Sequence, residues 1–568
     1  MAVVWKERLA DETLVADLVG RGFSPLQARI LALRGISAAT VDAYFNPKLA
    51  DLSKPDELPG IREAVSRILP FVTGGKTIVV FGDYDCDGVC ATAILVKAIT
   101  VLGGCVKPFI PRRLTEGFGM NDASVARMLS ENPGVELVVT VDNGINSVEQ
   151  VAELKEKGIS VVVTDHHLPG EELPDCTIVN PKVRSPESLQ GLCGAGVAFL
   201  LAGALIAEAK ARGCYTGPNV GGPMLVLAGL ATVTDIMPMM GQNRILVTEA
   251  LKRFRSWAPV GLKELYDRAS RTTAAALTVR DFGFLIGPRI NAAGRVASGM
   301  EALDLVLSSD REQAREFARA VDIYNTERKT IEQKMTELAL AQVVEGASAQ
   351  IINFEQQEAH SGVAGIVASR ILERLTGSSV PVCVIVGGHG SARSPEGYNV
   401  RDAFVHAAEA LTRFGGHAAA GGFTVREGCL ERFRELFSEA CRQQASSVPV
   451  EEQGVDPVDA EIDGRELDLD FATWLQSLEP FGEGNQMPVF VIRKAWLSDV
   501  RPLGQDGKHL QVSFRGGTIP RAVWWGHGDL VERLRAESGV PYDLAFTVEV
   551  STYGEPHPEL RLVGIQKS

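Results

Sequence analysis

Three carboxylates within five residues are the feature of this sequence with the plainest chemistry. Asp83, Asp85 and Asp87 alternate along the segment 82–88. Carboxylates this close repel one another and destabilise the fold unless a cation holds them. The same spacing opens an EF-hand calcium loop, but its twelfth position is Ile94, where that loop needs a bidentate glutamate. Taken alone, the motif predicts either a metal site or a solvated acidic turn.

Other metal-ligating side chains follow apolar runs further along the chain. Asp142 comes after the run 136–141, and His166 and His167 come soon after the run 160–164. Asp235 follows another apolar run, 225–233. Each of these residues alone could be a turn-former or a satisfied core group. Because metal-ligating side chains follow several apolar runs in the same way, we expect them to form one shared site.

The elements that must position these residues are short apolar runs rich in β-branched residues. The runs 77–81, 136–141 and 160–164 alternate with helix-like segments such as 147–158. Strands buried on both faces of a parallel sheet look like this, with crossover helices between them. Ligands bind beyond the carboxyl ends of such strands. We therefore expect an α/β fold whose parallel sheet brings the acidic and histidine side chains together.

Several carboxylates with one or two imidazoles suit a pair of divalent cations that share a ligand. Oxygen-rich ligation with histidine favours Mn²⁺ and also accommodates Mg²⁺, while the lack of cysteine ligands argues against a structural zinc site. Two adjacent metals activate a water and stabilise charge during in-line displacement at phosphorus. The sequence has no G-x-x-x-x-G-K-[ST] motif, so nucleotide-driven motor work is not indicated. The predicted chemistry is hydrolytic phosphoryl transfer.

Composition narrows the class of protein. A chain of 568 residues is long enough for about three or four folded units. Its net charge of −14 argues against a broad basic face, although a local basic groove can coexist with an acidic exterior. The nine cysteines are scattered without a C-x-x-C pair, which predicts reduced thiols. A charged N-terminus and the lack of an apolar run near roughly 18 residues predict a cytoplasmic protein without a membrane span.

The patterning changes along the chain. Residues 1–60 have the pattern of short amphipathic helices, and 301–345 forms a helix-like stretch free of glycine and proline. Strands are expected at 351–354 and 380–386 with a helix at 363–376 between them. Beyond a polar tract at 443–454, the strand-like runs are 489–492, 510–514 and 544–550. Short strands with glycine-rich turns are typical of a small barrel such as an OB-fold.

These motifs resemble those of a known family. The segments 82–88, 141–144 and 164–167 resemble successive motifs of the DHH phosphoesterase superfamily, the last of them reading Thr-Asp-His-His. The flanking sequence is closer still to the RecJ family of single-strand-specific exonucleases. Its further matching segments are 112–119, 287–295, 390–394, 414–417 and 478–482. The resemblance runs in order from about residue 50 to residue 568.

The patterning and the resemblance together predict an order of domains. These are an N-terminal helical segment over 1–60, a parallel-sheet DHH catalytic domain over 61–300, a long connecting helix over 301–345, a smaller α/β DHH-associated domain over 346–445 and an OB-like nucleic-acid-binding β-barrel over 455–568. The DHH-associated domain is the one that clamps the substrate against the metal face.

The resemblance also implies roles for individual residues. It assigns metal ligation to Asp85, Asp87, Asp142, His166 and Asp235, with Asp83 and His167 in or beside the ligand set. Those implied to line the strand's path or contact phosphate are Arg112, Arg113, Phe118, Asn291, Arg295, Arg393, Gly415, Gly416 and His417. Guanidinium groups grip phosphate bidentately, and glycine lets a ligand approach the backbone closely.

The function implied by this resemblance is a metal-dependent 5′→3′ exonuclease on single-stranded DNA, used in recombination and DNA repair. Its expected partners are a single-strand-binding protein and a helicase, and it is expected to be a monomer. Two alternatives stay open. A DHH phosphodiesterase of oligoribonucleotides or cyclic dinucleotides needs no track for a long strand, so the C-terminal β region argues against it. A non-catalytic DNA clamp, like the RecJ-related component of the eukaryotic replicative helicase, needs no intact acidic set.

Overall fold

The computed structural model describes residues 4–117, 119–270, 277–357, 359–375, 380–445, 455–537, 539–551 and 555–568. The chain divides into two compact units. One comprises the described parts of 1–51, 238–245 and 451–568, and the other comprises those of 52–237 and 246–450. The second unit holds all of the candidate metal-ligating residues.

The strands are β1 (Val4–Glu7), β2 (Thr77–Phe81), β3 (Cys105–Phe109), β4 (Leu137–Thr140), β5 (Ser160–Thr164), β6 (Thr177–Val179), β7 (Gln350–Phe354), β8 (Val382–Val386), β9 (His389–Arg393), β10 (Leu411–Gly416), β11 (Ala420–Val425), β12 (Val455–Val458), β13 (Ala460–Glu461), β14 (Phe490–Leu503), β15 (His509–Phe514), β16 (Ala522–Trp524), β17 (Pro541–Ser551) and β18 (His557–Lys567).

The helices are α1 (Glu12–Gly20), α2 (Pro25–Ala32), α3 (Val41–Phe45), α4 (Ile61–Thr73), α5 (Cys86–Val101), α6 (Asp122–Glu131), α7 (Val148–Glu156), α8 (Pro181–Arg184), α9 (Gly194–Ala211), α10 (Gly221–Thr234), α11 (Gly241–Trp257), α12 (Val260–Ala269), α13 (Gly287–Val296), α14 (Gly299–Leu307), α15 (Arg311–Leu340), α16 (Ala364–Arg374), α17 (Val400–His406), α18 (Leu430–Ala445), α19 (Leu469–Gln476) and α20 (Val531–Ala536).

The first sheet is five-stranded and parallel, in the order β3-β2-β4-β5-β6. Its central strands are buried because the runs that form them are apolar on both faces. The predicted α/β fold is therefore confirmed, and β2 and β5 have the predicted bounds. The edge strands β3 and β6 were not predicted. In β3, Lys107 and Pro108 interrupt the apolar run, which an edge strand tolerates.

Apolar helices cover this sheet and bury the site from one side. Most of α5 is buried, and it packs against α9 and α10. Helix α9 is long and apolar enough to cross a membrane by length and composition, but 61% of its 18-residue window is buried inside the fold. The core helix of a folded domain can have the same length and apolar composition, and α9 is such a core helix.

The helix-forming stretch expected at 301–345 consists of two helices, α14 and α15, separated at residues 308–310. They lead into a second five-stranded sheet of order β10-β11-β9-β8-β7, in which β7 and β8 are parallel and the other pairs antiparallel. An aromatic core including Phe404, Phe423, Phe433 and Phe437 joins this sheet to α17 and α18. Strand β10 is left at the edge of the sheet.

The other unit is built on a barrel. Strands β14-β15-β16-β18-β17 are hydrogen-bonded in that order, and the pairing of β17 with β14 closes them. The predicted C-terminal OB-like barrel is thereby confirmed. Helices α1, α2 and α3 share an apolar core with it, so the N-terminal residues do not form a separate helical segment. They also include β1, which the helical prediction missed, because Trp5 is buried against Gly564.

The part of the polar tract 443–454 beyond residue 445 lies outside the described residues, as does the nucleic-acid-binding candidate Phe118. All nine cysteines are free, in agreement with the expectation of reduced thiols.

Candidate active site

The acidic loop after β2 is shaped by the start of α5. Asp85 is the N-cap of that helix, and its carboxylate accepts a hydrogen bond from the N–H of Gly88 at 3.1 Å. The carboxylate of Asp83 accepts one from the N–H of Tyr84 at 2.7 Å. A Cβ on Gly88 would lie about 2.5 Å from the backbone of Asp83, so only glycine permits this tight turn. The loop therefore presents its acids from a fixed backbone.

Asp87 is held by the N-terminus of α9. The backbone N–H groups of Gly194 and Ala195 each donate to its carboxylate at 2.7 Å. A Cβ on Gly194 would lie 2.6 Å from the Cβ of Asp142. Glycine at this position therefore lets two carboxylates that follow different strands meet at one helix end, where the helix dipole favours negative charge.

Asp142 and His166 lie at the centre of the site. Asp142 has a φ of 62°, a left-handed conformation that costs free energy for a residue other than glycine and that clusters at functional sites. Nε2 of His166 is 3.0 Å from Oδ1 of Asp142 and 3.6 Å from carboxylate oxygens of both Asp87 and Asp235. Despite this short distance the pair does not have hydrogen-bond geometry, and no other group in the described part of the chain donates a hydrogen bond to that buried oxygen of Asp142. One imidazole nitrogen and three carboxylates therefore converge on a common point.

Asp235 reaches this point from a helix. The apolar run 225–233 before it is not a strand like the runs before the other ligands, because these residues belong to α10 and are all buried. Asp235 is the C-cap of that helix, and Ile236 after it has a φ of 56°. An apolar run this short does not distinguish a buried strand from a buried helix. The structure still brings Asp235 to the expected place.

Asp165 organises the loops that carry the ligands. It is fully buried and accepts hydrogen bonds from the N–H groups of Ile145, His166 and His167, and its Oδ1 is 2.8 Å from Nδ1 of His167. It thereby ties the loop after β4 to the loop after β5. Sequence reasoning gave this residue no role, although the Thr-Asp-His-His motif contains it.

The electrostatics of the site suit divalent cations. Burial and the nearby Asp87 and Asp85 raise the pKa of Asp142 well above its usual range. Burial and Asp87 raise the pKa of Asp235 to about 9, and burial and Asp85 raise that of Asp83 to about 7. Burial also lowers the pKa of His166, which favours the neutral, ligating form of its ring.

Two overlapping groups of three side chains place ligand atoms within 4.8 Å of one another. They are Asp142, His166 and His167, and Asp87, His166 and Asp235. A buried set of carboxylates that are costly to ionise alone, joined by a neutral imidazole, fits Mn²⁺ or Mg²⁺. Asp83 and Asp85 lie in the adjoining loop without belonging to either group.

Beside the acidic loop lie three guanidinium groups, here called the arginine cluster: Arg113, Arg295 and Arg393. That of Arg113 lies over the Tyr84 ring, 4.8 Å from its centroid. Burial and then Arg113 lower the pKa of Arg295 to about 10, and the same two causes lower the pKa of Arg393. A Cβ on Gly365 would lie 2.9 Å from an Arg393 nitrogen, so glycine makes room for that side chain. Cations held this close favour an anion such as phosphate among them.

Two other candidates for nucleic-acid contact, Asn291 and Arg112, lie in different surroundings. Asn291 turns its side-chain oxygen to the N–H of Cys86 at 2.7 Å, so it supports the acidic loop. Arg112 is exposed, with its guanidinium 3.9 Å from Glu131.

Gly415, Gly416 and His417 line a groove of about 330 Å³ that also includes His167. The groove is lined by Asn146, His167, Leu168, Pro169, Gly170, Arg401, Phe414, Gly415, Gly416 and His417. Burial and then the charges of His167 and Arg401 lower the pKa of His417.

Three family models match the chain. The DHH family, N-terminal domain, matches residues 77–217, the DHHA1 domain matches 341–443, and the RecJ OB domain matches 458–563. The matches follow the first sheet, the second sheet and the barrel in order.

Curated relatives match over most of the chain. The single-stranded-DNA-specific exonuclease RecJ of Bacillus subtilis is 32% identical over 542 residues, which are 93% of this chain and 66% of that protein. The exonuclease of the same name from Haemophilus influenzae is 35% identical over 496 residues, 84% of this chain and 85% of that protein.

Solved structures agree. A crystal structure of RecJ in complex with Mn²⁺ from Thermus thermophilus has a TM-score of 0.83 and 31% identity, and covers 100% of this chain and 80% of that one. A structure of exonuclease RecJ bound to manganese has a TM-score of 0.60 and 36% identity, and covers 69% of this chain and 97% of that one.

Proposed function

The chain belongs to the RecJ family, and from that premise we propose that it is a metal-dependent exonuclease that degrades single-stranded DNA from its 5′ end, in recombination and DNA repair. The observation that carries this proposal is the convergence of Asp87, Asp142 and Asp235 on the Nε2 atom of His166. Mn²⁺ or Mg²⁺ held there would supply an activated water and stabilise the charge that develops at phosphorus.

The protein's own side chains would orient the reaction. Asp87 is fixed by two backbone N–H groups, so its carboxylate cannot rotate away when a cation binds. Nδ1 of His167 is engaged with Asp165, which leaves Nε2 as the ring nitrogen that can act in the site. We propose that this nitrogen is a ligand or contacts a phosphate oxygen of the substrate, which is why His167 belongs with the catalytic residues.

The arginine cluster supports the proposal that the enzyme binds the end of a DNA strand. Its three cations lie beside Tyr84 and Asp85, next to the metal-ligating loop. A terminal phosphate, with its extra negative charge, is the group that gains most from several guanidinium groups. We propose that the cluster holds the 5′-terminal phosphate, so that the first linkage lies over the carboxylates.

A cleavage assay tests the proposal. Single-stranded oligonucleotides labelled at the 5′ or the 3′ end, a duplex and a cyclic dinucleotide would each be incubated with Mn²⁺. We expect rapid loss of 5′-labelled single strands as mononucleotides, faster with a 5′-phosphate than with a 5′-hydroxyl. Asp142→Ala should be inactive, while Asp175→Ala, at a surface acid that is 97% exposed, should match the wild type.

The same assay separates the alternatives. Preference for the dinucleotide would favour a small-nucleotide phosphodiesterase, and binding without cleavage would favour a clamp. Degradation from 3′ ends would contradict the proposed polarity. The barrel argues against the first alternative because a small substrate needs no extended binding surface, and the complete ligand set argues against the second.

We further propose a cytoplasmic monomer that works with a single-strand-binding protein and a helicase. These statements are supported by the family relationship. Light scattering of the purified chain measures its mass, and pull-down with a purified single-strand-binding protein tests that contact.

A further inference from the structure

The carboxyl edge of the first sheet has a fixed order. Arg112 and Arg113 follow the edge strand β3, the three acids of the loop follow β2, Asp142 follows β4, and the histidines follow β5. Because the strand order is β3-β2-β4-β5, Arg113 of the arginine cluster and the groove residues that follow β5 lie on opposite sides of the carboxylates. A strand laid across this edge with its end on the arginines must continue over the groove.

Two of the side chains that line the groove are large, apolar and exposed to solvent. Leu168 is 55% exposed and Phe414 37% exposed. The Phe414 ring packs on Phe404, with centroids 6.2 Å apart, so its position is fixed. The Leu168 loop is fixed as well: the amide of Asn146 donates to the carbonyl of Leu168 at 3.2 Å and accepts from the N–H of Gly170 at 2.6 Å.

Gly415 lines the groove with backbone alone. A Cβ on Gly416 would come within 2.4 Å of the facing strand, and its φ is 131°, so the fold itself requires glycine there. A Cβ on Gly415 would meet nothing within 4 Å. The absent side chain at Gly415 therefore serves no packing need, and it keeps the groove open.

We propose that the groove is a nucleobase subsite for the second nucleotide of the bound strand, which is the first nucleotide left after cleavage. This inference rests on the proposed function. The base lies between Leu168 and Phe414, and the exposed cation Arg401 faces the adjoining phosphate. A volume of about 330 Å³ is near the lower limit of small-ligand pockets, which suits one nucleotide. Aromatic stacking of this kind accepts any base.

The subsite makes Phe414 and Leu168 positioning residues for the retained strand. Each cleavage would move the next base into the groove, which keeps the strand in register with the metal site.

The test uses 2-aminopurine, whose fluorescence falls on stacking. Single-stranded oligonucleotides carry it at nucleotide 1, 2, 3 or 4 from the 5′-phosphate, and a methylphosphonate at the first linkage blocks cleavage. With the full-length protein and Mn²⁺, we expect quenching to be greatest at nucleotide 2. Phe414→Ala and Gly415→Val should abolish that maximum. Phe414→Trp should restore it, and Val405→Ala, an exposed residue outside the groove, should leave it unchanged.

Cleavage kinetics give an independent readout. An abasic site at nucleotide 2 should lower kcat/KM of the wild type by about tenfold or more, and should have little further effect in Phe414→Ala. Gly415→Val shows whether a loss in Phe414→Ala comes from misfolding, because the fold has open space for the valine side chain and this variant should fold normally.

Equal quenching in Phe414→Ala and wild type, or no maximum at nucleotide 2, would overturn the subsite. If the unmodified strand is not cleaved but quenching persists, the exonuclease proposal fails and the subsite stands.

Discussion

At the scale of single residues, Asp142 combines a left-handed backbone with a buried carboxylate whose pKa is raised well above its usual range. Neither feature stabilises the metal-free fold. The buried carboxylate becomes favourable when a cation takes the place of the proton, since the ligand must then be ionised. Sequence reasoning found the residue from its place after an apolar run, but a φ angle cannot be predicted from one aspartate in a turn.

Asp142→Asn separates folding from catalysis. Asparagine tolerates the left-handed region and carries no charge, so the metal-free variant should be more stable, with Tm higher by about 2–4 °C for each kcal/mol gained. Its cleavage rate with Mn²⁺ should fall by about 10³-fold or more, since a metal supplies several kcal/mol of transition-state stabilisation. Calorimetry with EDTA and the cleavage assay measure the two effects. A less stable metal-free variant would contradict the argument.

Asp165→Asn tests the buried organiser. The substitution replaces the charged carboxylate, which accepts hydrogen bonds from the loops after β4 and β5, with a neutral amide. Because such supporting residues orient metal ligands, we expect the Kd for Mn²⁺ to rise by about 10–100-fold. Isothermal titration measures it, with Asp175→Asn as the surface control. An unchanged Kd would show that the ligands hold their places without Asp165.

At the scale of elements, the site depends on where helices begin. The start of α9 binds Asp87 and leaves room for Asp142, and the start of α5 is capped by Asp85. The apolar patterns predicted the strands β2 and β5 well because both faces of those strands are buried. They did not predict that a helix start would join the acids, since that contact is between residues 107 positions apart.

Two glycines of α9 offer a matched comparison. Gly194→Ala would place a Cβ 2.6 Å from Asp142, whereas the nearest atom to a Cβ on Gly203 is 4.0 Å away. Gly203→Ala should keep full activity and gain roughly 0.5–1 kcal/mol of stability from its better helix propensity. Gly194→Ala should lose Mn²⁺ affinity and most of its cleavage activity. Denaturant unfolding and titration check both variants, and equal activities would rule out steric control at Gly194.

At the scale of the whole molecule, a net charge of −14 coexists with a site for a polyanion. Buried carboxylates account for part of that charge, and the arginine cluster supplies local positive charge beside them. The two units also carry different features, since one contains the metal ligands and the other contains the closed barrel. The sequence predicted these architectures from periodicity. It did not predict that residues near the N-terminus complete the core of the barrel unit, because that packing is between distant segments.

The stability of the whole chain should depend on pH more strongly without metal than with it. Asp235 and Asp83 have pKa values of about 9 and about 7 in the folded chain, against about 4 when unfolded. The folded state therefore binds more protons, and the metal-free protein should lose stability as pH rises from about 4 to about 9. Mn²⁺ displaces these protons, so its stabilising effect should be larger at pH 8 than at pH 6.

Thermal unfolding in EDTA and in Mn²⁺ at the two pH values measures this difference directly. Asp235→Asn should flatten the pH dependence in EDTA, because it removes the carboxyl group with the higher of the two pKa values. It should also reduce the stabilisation by Mn²⁺ at pH 8. A metal effect that is equal at both pH values would mean that the site binds cations without releasing protons, and would contradict the assignment of these carboxylates as ligands.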